Sequence, residues 1–264
     1  RNSNLFPFLR HFSPYAGHAW ASGLLNNDPH GNNQESSSES MNYNAALIHW
    51  GQVTGNTQIR DLGIYLYTTE QTAIEEYWFD MSNRNFPANY AHLMASRVWG
   101  NGHDRNTFWT ADIAAMYGIN MFPTTGSSLY LGHNKPYAAN LWNEITTKTG
   151  VLSKVDNPNL WYETYWAYLA FTNPAKALNL YNAHPNYKPK FGNTDAHAYH
   201  WLHSMNGMGT LEASITANYP IAAVFSKNGQ KTYVAHNYGT APITVLFSDG
   251  YSMQVPARTL KTSN

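Results

Sequence analysis

Two carboxylates lie four residues apart, Glu35 and Glu39, within the string NQESSSES at residues 33–40. The residues that follow, MNYNAALIHWG, have the apolar spacing of a helix, so the string is predicted to open one. Side chains at positions i and i+4 of a helix lie on one face, about one turn apart. Two like charges this close disfavour double ionisation, so one carboxyl binds its proton more tightly unless a cation or hydrogen-bond donors compensate. Such a pair is suited to acid–base chemistry, as in the hydrolysis of a polysaccharide.

The same residues also fit a structural role at the start of a helix. Ser36 followed by Glu39 three residues later matches the S-x-x-E capping box. Acidic side chains in a first turn also interact favourably with the helix dipole. The spacing alone therefore leaves capping and catalysis open.

The charge and the cysteine content exclude several classes of function. The 264 residues contain 16 basic and 16 acidic side chains, and charged residues make up 12%, about half of the ~25% typical of soluble domains. Nucleic acid and anionic membranes are therefore poor partners. The absence of cysteine excludes disulfides, thiolate metal sites and cysteine nucleophiles. With no run of 18 apolar residues and no signal-peptide pattern at RNSNLFPFLRHF, we expect a mature or trimmed soluble protein.

The aromatic content is high, at 15%, with 19 Tyr and 9 Trp, and much of the remaining polarity comes from Asn, Ser and Thr. Aromatic rings pack well on the apolar faces of sugars, while amides and carboxylates pair with sugar hydroxyls. A neutral polyhydroxylated ligand fits this composition. The alternative is that most of these rings fill a core.

The apolar periodicity predicts a largely helical chain after an irregular, ligand-facing region at residues 1–34. The predicted helices span residues 36–51, 56–79, 90–99, 107–117, 136–148, 159–171, 174–182 and 194–207. Short strands are predicted at residues 220–225, 232–236, 243–247 and 251–255. The dipeptides Asn228-Gly229, Tyr238-Gly239 and Asp249-Gly250 separate these strands, which favours an antiparallel meander.

Helix pairs recurring every 40 to 50 residues, roughly, are typical of an α/α toroid. The predicted fold is therefore mainly α, an (α/α)6-type barrel that is incomplete in this chain, with a small C-terminal antiparallel β segment. The predicted division is a helical catalytic region at residues 1–217, with its site loops in residues 1–40, and a strand segment at residues 218–264.

Two further catalytic hypotheses are weak. His197, His200 and His203 form H-x-x-H-x-x-H, but there is no acidic partner at the expected offset and no HExxH. We therefore predict packed histidines, no metal and no other cofactor. Ser-His-Asp catalysis is disfavoured because GSSLY lacks the G-x-S-x-G elbow.

Several longer motifs resemble a known family. They are SPYAGHAWASG (13–23), NNQESSSES (32–40), HWGQVTG (49–55), RVWGNGHDRNTFW (97–109), GINMFPTTGSSLYLG (118–132) and HAYHWLHSMNGMG (197–209). Together they resemble the catalytic region of glycoside hydrolase family 81, the endo-β-1,3-glucanases. The resemblance implies an (α/α)6 barrel with an open cleft and metal-independent hydrolysis of β-1,3-glucan with inversion. It also implies that a β-1,3-glucan polysaccharide or oligosaccharide is the partner and that the protein acts outside the cell.

By this resemblance, Glu35 corresponds to the general base of the family, and Glu39 to a second important carboxylate. An inverting glycosidase keeps its acid and base about 6.5–9.5 Å apart on opposite sides of the bond. Glu39 lies one turn from Glu35 on the same wall, so we expect it to assist Glu35 rather than to be the acid.

The general acid of the family is an Asp in a DHHFHYG-like motif upstream of the LFPFLRHF segment, and no such motif occurs here. The first expectation is that the chain is the C-terminal part of a longer enzyme, with the N-terminal part of the same protein as a partner. A truncated, noncatalytic β-glucan-binding fragment is the second. The third is an intact small enzyme that recruits another acid, from among Asp28, Asp104 and Asp112. A different α/α-toroid carbohydrate enzyme, such as a lyase, is a weaker alternative.

Six residues are predicted to bind substrate. The resemblance makes Trp20 a stacking platform and His18 a donor to sugar hydroxyls or to Glu35, while the sequence alone leaves a core position for Trp20 equally open. Asn33 and Gln34 are expected to orient sugar hydroxyls or, equally, to fix the entrance of the helix. The last two are Asp104 and Trp109, for which the alternative is a salt bridge from Asp104 to Arg97 or Arg105.

Overall fold

The first two helices form an antiparallel hairpin in the computed structural model, which describes residues 8–23, 28–154, 161–189 and 193–263. Helix α1 spans Ser37–Thr54 and helix α2 spans Thr57–Tyr77. Gly55 ends α1 with φ of 69°, a left-handed conformation that glycine adopts without strain. The side chain of Asn56 then accepts a hydrogen bond from the Ile59 amide and begins α2.

Two glycines allow the backbones of α1 and α2 to approach closely. A Cβ atom on Gly51 would lie 2.4 Å from the Arg60 nitrogen, and one on Gly63 would lie 2.7 Å from the Ile48 nitrogen. Neither separation is possible for a real side chain, so these two positions require glycine.

Five shorter helices follow, and a polar side chain begins four of them. They are α3 (Ile113–Gly118), α4 (Lys135–Thr149), α5 (Tyr162–Leu169), α6 (Pro174–Asn182) and α7 (Asp195–Met208). A 3-10 helix spans Gly126–Gly132. The side chains that accept a hydrogen bond from the first turn belong to Asp112 (α3), Asn134 (α4), Asn173 (α6) and Thr194 (α7).

The main core packs around α5, whose eight residues are all buried. Large aromatic side chains dominate it, including the fully buried rings of Trp78, Tyr117, Tyr130, Trp166 and Phe171. For these rings, core packing is the observed role. None of the helices in the described ranges is both long and apolar enough to cross a membrane.

Two small sheets surround the start of α1. Strand β1 (Phe12–Ser13) pairs with β2 (His18–Ala19). Strand β3 (Asn33–Gln34) pairs with β4 (Arg97–Trp99), which pairs with β5 (Gly102–Asp104), all antiparallel. The residues that precede α1 are therefore fixed by backbone pairing to a hairpin far along the chain.

The C-terminal strands form two further sheets and a second small core. The first sheet has the order β11-β8-β7-β6 and the second pairs β10 with β9. The strands are β6 (Thr210–Leu211), β7 (Ala222–Lys227), β8 (Gln230–Asn237), β9 (Ile243–Leu246), β10 (Ser252–Val255) and β11 (Thr259–Thr262). Their buried side chains include Val224, Val245 and Met253.

The predicted hairpin at Asn228-Gly229 is confirmed, since both residues have positive φ and connect β7 to β8. The predicted meander is wrong, because β8 pairs with β11 rather than with β9. Strand β11 was not predicted. The division after residue 217 stays a prediction, and β6, which precedes it, belongs to the same sheet as β7.

The predicted fold class, a mainly α, (α/α)6-type toroid, is wrong. The described residues form eleven strands in four sheets in addition to seven α-helices, so the fold is mixed α and β. The predicted helix at 90–99 is absent, and its last residues form β4. The predicted helix at 107–117 starts at Ile113, because Asp112 provides its N-cap. In the first segment strand pairing decides the structure, and in the second the N-cap does. Apolar periodicity indicates which side chains are buried, but it does not indicate which segment they pack or pair with.

We expect Gly63→Ala and Gly207→Ala to change stability in opposite directions. An alanine at Gly63 forces the α1 backbone away and should destabilise the protein by about 1–3 kcal/mol. Gly207 lies in α7 with no atom near the added Cβ, so alanine there should stabilise by about 0.5–1 kcal/mol through helix propensity. Urea unfolding followed by circular dichroism measures both changes. Equal effects of the two substitutions would contradict the close helix contact.

Candidate active site

A cleft of about 830 Å³ lies between the β1–β2 hairpin, the start of α1 and the residues around Phe108. Its walls include Trp20, Gln34, Glu35, Glu39 and Phe108. The remaining lining comes from residues 8–12, from Ala19 and Ala21, and from Ser36, Ser40, Tyr43, Asn44, Leu62 and Leu66. Aromatic rings, amides and two carboxylates therefore share one cavity.

Glu35 lies in the wall of this cleft with 8% of its surface exposed. Its Oε2 accepts a hydrogen bond of 2.8 Å from the backbone amide of Phe108. Burial raises the pKa of Glu35 above its ordinary value, against the lowering effects of the Phe108 amide and of the Arg97 charge. Asp104 and Glu39 contribute smaller upward shifts of the same pKa. The carboxyl is therefore a stronger base than a solvated one.

The serines of NQESSSES anchor the start of α1 by tertiary contacts. Ser36 is the N-cap residue but its side chain makes no capping hydrogen bond, so the predicted Ser36–Glu39 capping box is not formed. Ser37 donates from its amide and its hydroxyl to Asn120 Oδ1, at 3.1 and 2.7 Å. Ser38 Oγ donates to the carbonyl of Ile119 at 3.1 Å. The segment that carries Glu35 is thus tied to the residues after α3.

A half-buried ion pair lies beside Glu35, with Arg97 buried and Asp104 partly exposed. Arg97 Nε and Nη2 donate to Asp104 Oδ1 and Oδ2 at 2.9 and 2.7 Å, a bidentate pair. The Trp99 indole also donates to Asp104 Oδ2, at 3.1 Å. The guanidinium of Arg97 lies 4.3 Å from the ring centroid of Phe108. Of the two interpretations of Asp104, the structure therefore shows the salt bridge to Arg97, and a substrate contact of Asp104 stays a prediction.

His18 lies behind Trp20, outside the cleft lining. It is 1% exposed, and its ring packs 4.3 Å from the Trp20 ring centroid and 4.9 Å from that of Trp78. Its Nδ1–H donates to the Ala19 carbonyl at 2.8 Å. Burial lowers the pKa of His18, so the ring is neutral at neutral pH. In this geometry His18 supports Trp20, and a contact with sugar remains a prediction.

Of the other predicted site residues, two line the cleft and two do not. Glu39 is exposed in the first turn of α1 and, like Gln34, lines the cleft. Asn33 is buried in β3, and its carbonyl accepts from the Ala21 amide at 2.9 Å. Trp109 is exposed beyond the cleft lining and stacks on Trp161, with centroids 6.2 Å apart. The substrate-binding roles of Gln34, Asn33 and Trp109 stay predictions.

The sequence reasoning missed three residues that organise the site: Phe108, Glu70 and Asn120. Phe108 acts through its backbone amide, which leaves no signal in the residue type. Glu70 is fully buried on α2. Its sequence position could have predicted this, because it lies on the same helix face as Leu66, Ala73 and Ile74. A carboxylate on an apolar face requires partners.

Residues 8–23, 28–154, 161–189 and 193–263 contain no group of three or more His, Asp or Glu side chains arranged to hold a metal ion, and the histidines of α7 form no such group.

Comparison with known proteins identifies the family. Residues 1–202 match the model of the glycosyl hydrolase family 81 C-terminal domain, and the chain belongs to this family. It is 41% identical to a glucan endo-1,3-beta-D-glucosidase of Thermobifida fusca over 263 residues, covering 99% of this chain and 34% of that protein. A protein with the same description from Acetivibrio thermocellus is also 41% identical, over 100% of this chain and 33% of that protein.

A solved structure of a mutant glycoside hydrolase family 81 protein from Clostridium thermocellum superimposes with a TM-score of 0.90 at 40% identity. The match covers 100% of this chain and 36% of that one. The family predicted from the motifs is therefore confirmed, and the chain spans about a third of the length of these relatives.

Two charge substitutions should move the pKa of Glu35 in opposite directions. Arg97→Met removes a positive charge that lowers this pKa and leaves Asp104 unneutralised, so the pKa should rise further. Asp104→Asn removes a negative charge and leaves Arg97 unneutralised, so the pKa should fall. A carbon-13 NMR titration of the Glu35 carboxyl measures both shifts. Shifts of the same sign would show that the ion pair does not control this carboxyl.

Glu35→Gln should stabilise the protein at neutral pH. The pKa of Glu35 is raised in the folded state, so the contribution of this group to stability is fully present below its unfolded pKa. It is lost as the pH rises through the folded pKa. The melting temperature of the variant should therefore exceed that of the wild type at pH 7, and the difference should disappear in acid. A difference that stays constant with pH would refute this account of Glu35.

Proposed function

We propose that the protein hydrolyses β-1,3-glucosidic bonds within β-1,3-glucans, of the laminarin type, with inversion at the anomeric carbon. In this mechanism Glu35 is the general base that activates water, and Glu39 assists it. The observation that carries the proposal is a buried carboxylate, Glu35, held by the Phe108 amide in the wall of an aromatic-lined cleft. Relatives described as glucan endo-1,3-beta-D-glucosidases support the choice of substrate.

The hydrogen bonding of Glu35 fits the role of a base. Among the described residues, the Phe108 amide is the one hydrogen-bond partner of this carboxylate and it occupies Oε2. Oε1 is left to accept a proton from a water molecule in the cleft. Because burial raises its pKa, Glu35 accepts that proton more readily than a solvated carboxylate does.

Glu39 fits an assisting role because of its position. It lies on the next turn of the same wall, where its charge raises the pKa of Glu35. An acid and base that act from opposite faces of a sugar stand about 6.5–9.5 Å apart, with the glycosidic bond between them. Two carboxylates on one wall do not enclose that bond.

The cleft lining fits a neutral sugar chain. Trp20 and Phe108 line the cleft with aromatic side chains, and Phe108 is 58% exposed. Gln34 supplies an amide and Ser40 a hydroxyl at the same cavity. Stacked rings and hydrogen-bonding side chains together match the apolar faces and hydroxyls of glucose units.

We place the general acid, an Asp, in a segment of the protein outside these 264 residues, which also acts as a partner of this domain. The three alternative acids in this chain have structural tasks. Asp104 pairs with Arg97, Asp112 caps α3 by accepting from the Ala114 amide, and Asp28 accepts from the His30 amide. We also propose that the protein acts outside the cell, where polysaccharide is accessible.

A noncatalytic β-glucan-binding module is the second candidate. The lining of the cleft favours this candidate. Among the described residues, the carboxylates of the lining are Glu35 and Glu39, which lie on the same wall and do not enclose a glycosidic bond. Such a module would bind oligosaccharides saturably and release no reducing ends.

An activated substrate tests the base without requiring the acid. A 2,4-dinitrophenyl β-1,3-linked oligoglucoside has a leaving group that departs unprotonated, so its hydrolysis depends on Glu35 alone. Glu35→Gln should lower this rate by about 10²–10⁴-fold, the usual contribution of a general base, while oligosaccharide binding survives. Glu39→Gln should have a smaller effect. Release of dinitrophenolate measures the rates, and NMR of the product anomer reports inversion.

Glu144→Gln is the matched control. Glu144 is a half-buried carboxylate on α4 that accepts from the Tyr117 hydroxyl and the Leu93 amide, away from the cleft. It should leave the rate unchanged. Unaffected turnover in Glu35→Gln would exclude Glu35 as the base, whereas tight binding with no turnover in the wild type would favour the binding module.

A further inference from the structure

Glu70 is a buried carboxylate that the proposed hydrolysis does not use. It lies on the apolar face of α2, with none of its surface exposed. Burial raises its pKa, and hydrogen bonds from Ala19, Ser40 and Asn44 oppose that shift. Since a carboxylate is costly to remove from water, its position is tolerated only because hydrogen bonds replace the lost solvent.

All the hydrogen-bond partners of Glu70 in the described residues are donors. Oε1 accepts from the Ala19 amide at 2.9 Å. Oε2 accepts from Ser40 Oγ at 2.8 Å and from Asn44 Nδ2 at 2.7 Å. An ionised carboxylate suits three donors because it is an acceptor at both oxygens, whereas glutamine would offer a single acceptor oxygen.

Each of these donors belongs to a residue that lines the cleft. Ala19 precedes Trp20, and its carbonyl accepts a hydrogen bond from the Nδ1–H of His18. Both backbone polar groups of Ala19 are therefore fixed. Ser40 follows Glu39, and Asn44 lies one turn further along α1. A single buried carboxylate therefore connects the wall that carries Trp20 to the wall that carries Glu39.

We propose that Glu70 is a positioning residue that holds these two walls of the cleft at a fixed separation. Its effect on ligand affinity rests on the proposed function, in which the cleft binds a β-1,3-glucan chain. In that case Glu70 sets the distance between the ring of Trp20 and the hydrogen-bonding groups of α1, without touching the sugar.

The experiment uses the 264-residue protein, the variant Glu70→Gln and the control Glu144→Gln. Hydrogen exchange of the peptide containing Ala19, without ligand, reports the Glu70 contact directly. Calorimetric titration with a β-1,3-linked glucose hexasaccharide reports affinity. Glu70→Gln should accelerate exchange locally at Ala19, because one buried donor is left unpaired. It should also weaken binding by about tenfold, because the separation of the two walls is no longer fixed before the ligand binds. Glu144→Gln should change neither quantity.

A second substitution separates positioning from general stability. In Glu70→Gln/Asn44→Asp, the glutamine amide can donate to the new carboxylate, so the pairing is restored with donor and acceptor exchanged. Exchange at Ala19 should then return toward the wild-type rate.

Unchanged exchange at Ala19 in Glu70→Gln would overturn the proposal, as would acceleration spread over the whole chain. Wild-type protein that fails to bind the hexasaccharide would count against the proposed function instead. The exchange at Ala19 would still decide the role of Glu70.

Discussion

One buried amide, the side chain of Asn120, connects the segment that carries Glu35 to the segment that carries the Arg97–Asp104 ion pair. Its Oδ1 accepts from the amide and hydroxyl of Ser37, two residues after Glu35, and its Nδ2 donates to the Ser96 carbonyl at 2.9 Å. Ser96 directly precedes Arg97, the partner of Asp104. Fully satisfied buried networks of this kind fix a single arrangement, because any displacement leaves a polar group unpaired in a medium of low dielectric constant. The burial of Glu35 beside the ion pair depends on this link.

The cleft region contains two buried carboxylates whose surroundings differ. Glu70 accepts three hydrogen bonds and both of its oxygens are occupied. Glu35 accepts one, from a backbone amide, and has its other oxygen available to the cavity. Burial raises the pKa of both groups, so the difference between the roles proposed for them rests on the number of donors and on access to the cavity. Different environments allow one fold to use one buried carboxylate for structure and another for acid–base chemistry.

Some local patterns predicted the local structure correctly, although the helix expected at 90–99 and the S-x-x-E capping box are absent. Pro174 and Asn182 bound a helix as expected, the Asn-Gly turn after Lys227 formed, and the motifs identified the family. The sheets around the cleft were not predictable, because β3 pairs with β4 from far along the chain and neither strand is long enough to show alternation. The same limit applies to the site. The spacing of Glu35 and Glu39 can be read from the sequence. The contacts of the Phe108 amide and the Asn120 side chain with the start of α1 cannot, because these residues are distant along the chain.

The close contact between α1 and α2 has a consequence for the order in which the cleft forms. The hairpin is local in sequence, so its contacts close a short loop and lose little chain entropy, which favours early formation during folding. It contains Glu39, Ser40, Asn44 and Glu70, and therefore assembles one wall of the cleft by itself. Glu35 becomes buried when the distant segments around Arg97 and Phe108 dock onto that wall. The environment of Glu35 thus depends on long-range contacts, whereas the hairpin that carries Glu39 and Glu70 depends on local ones.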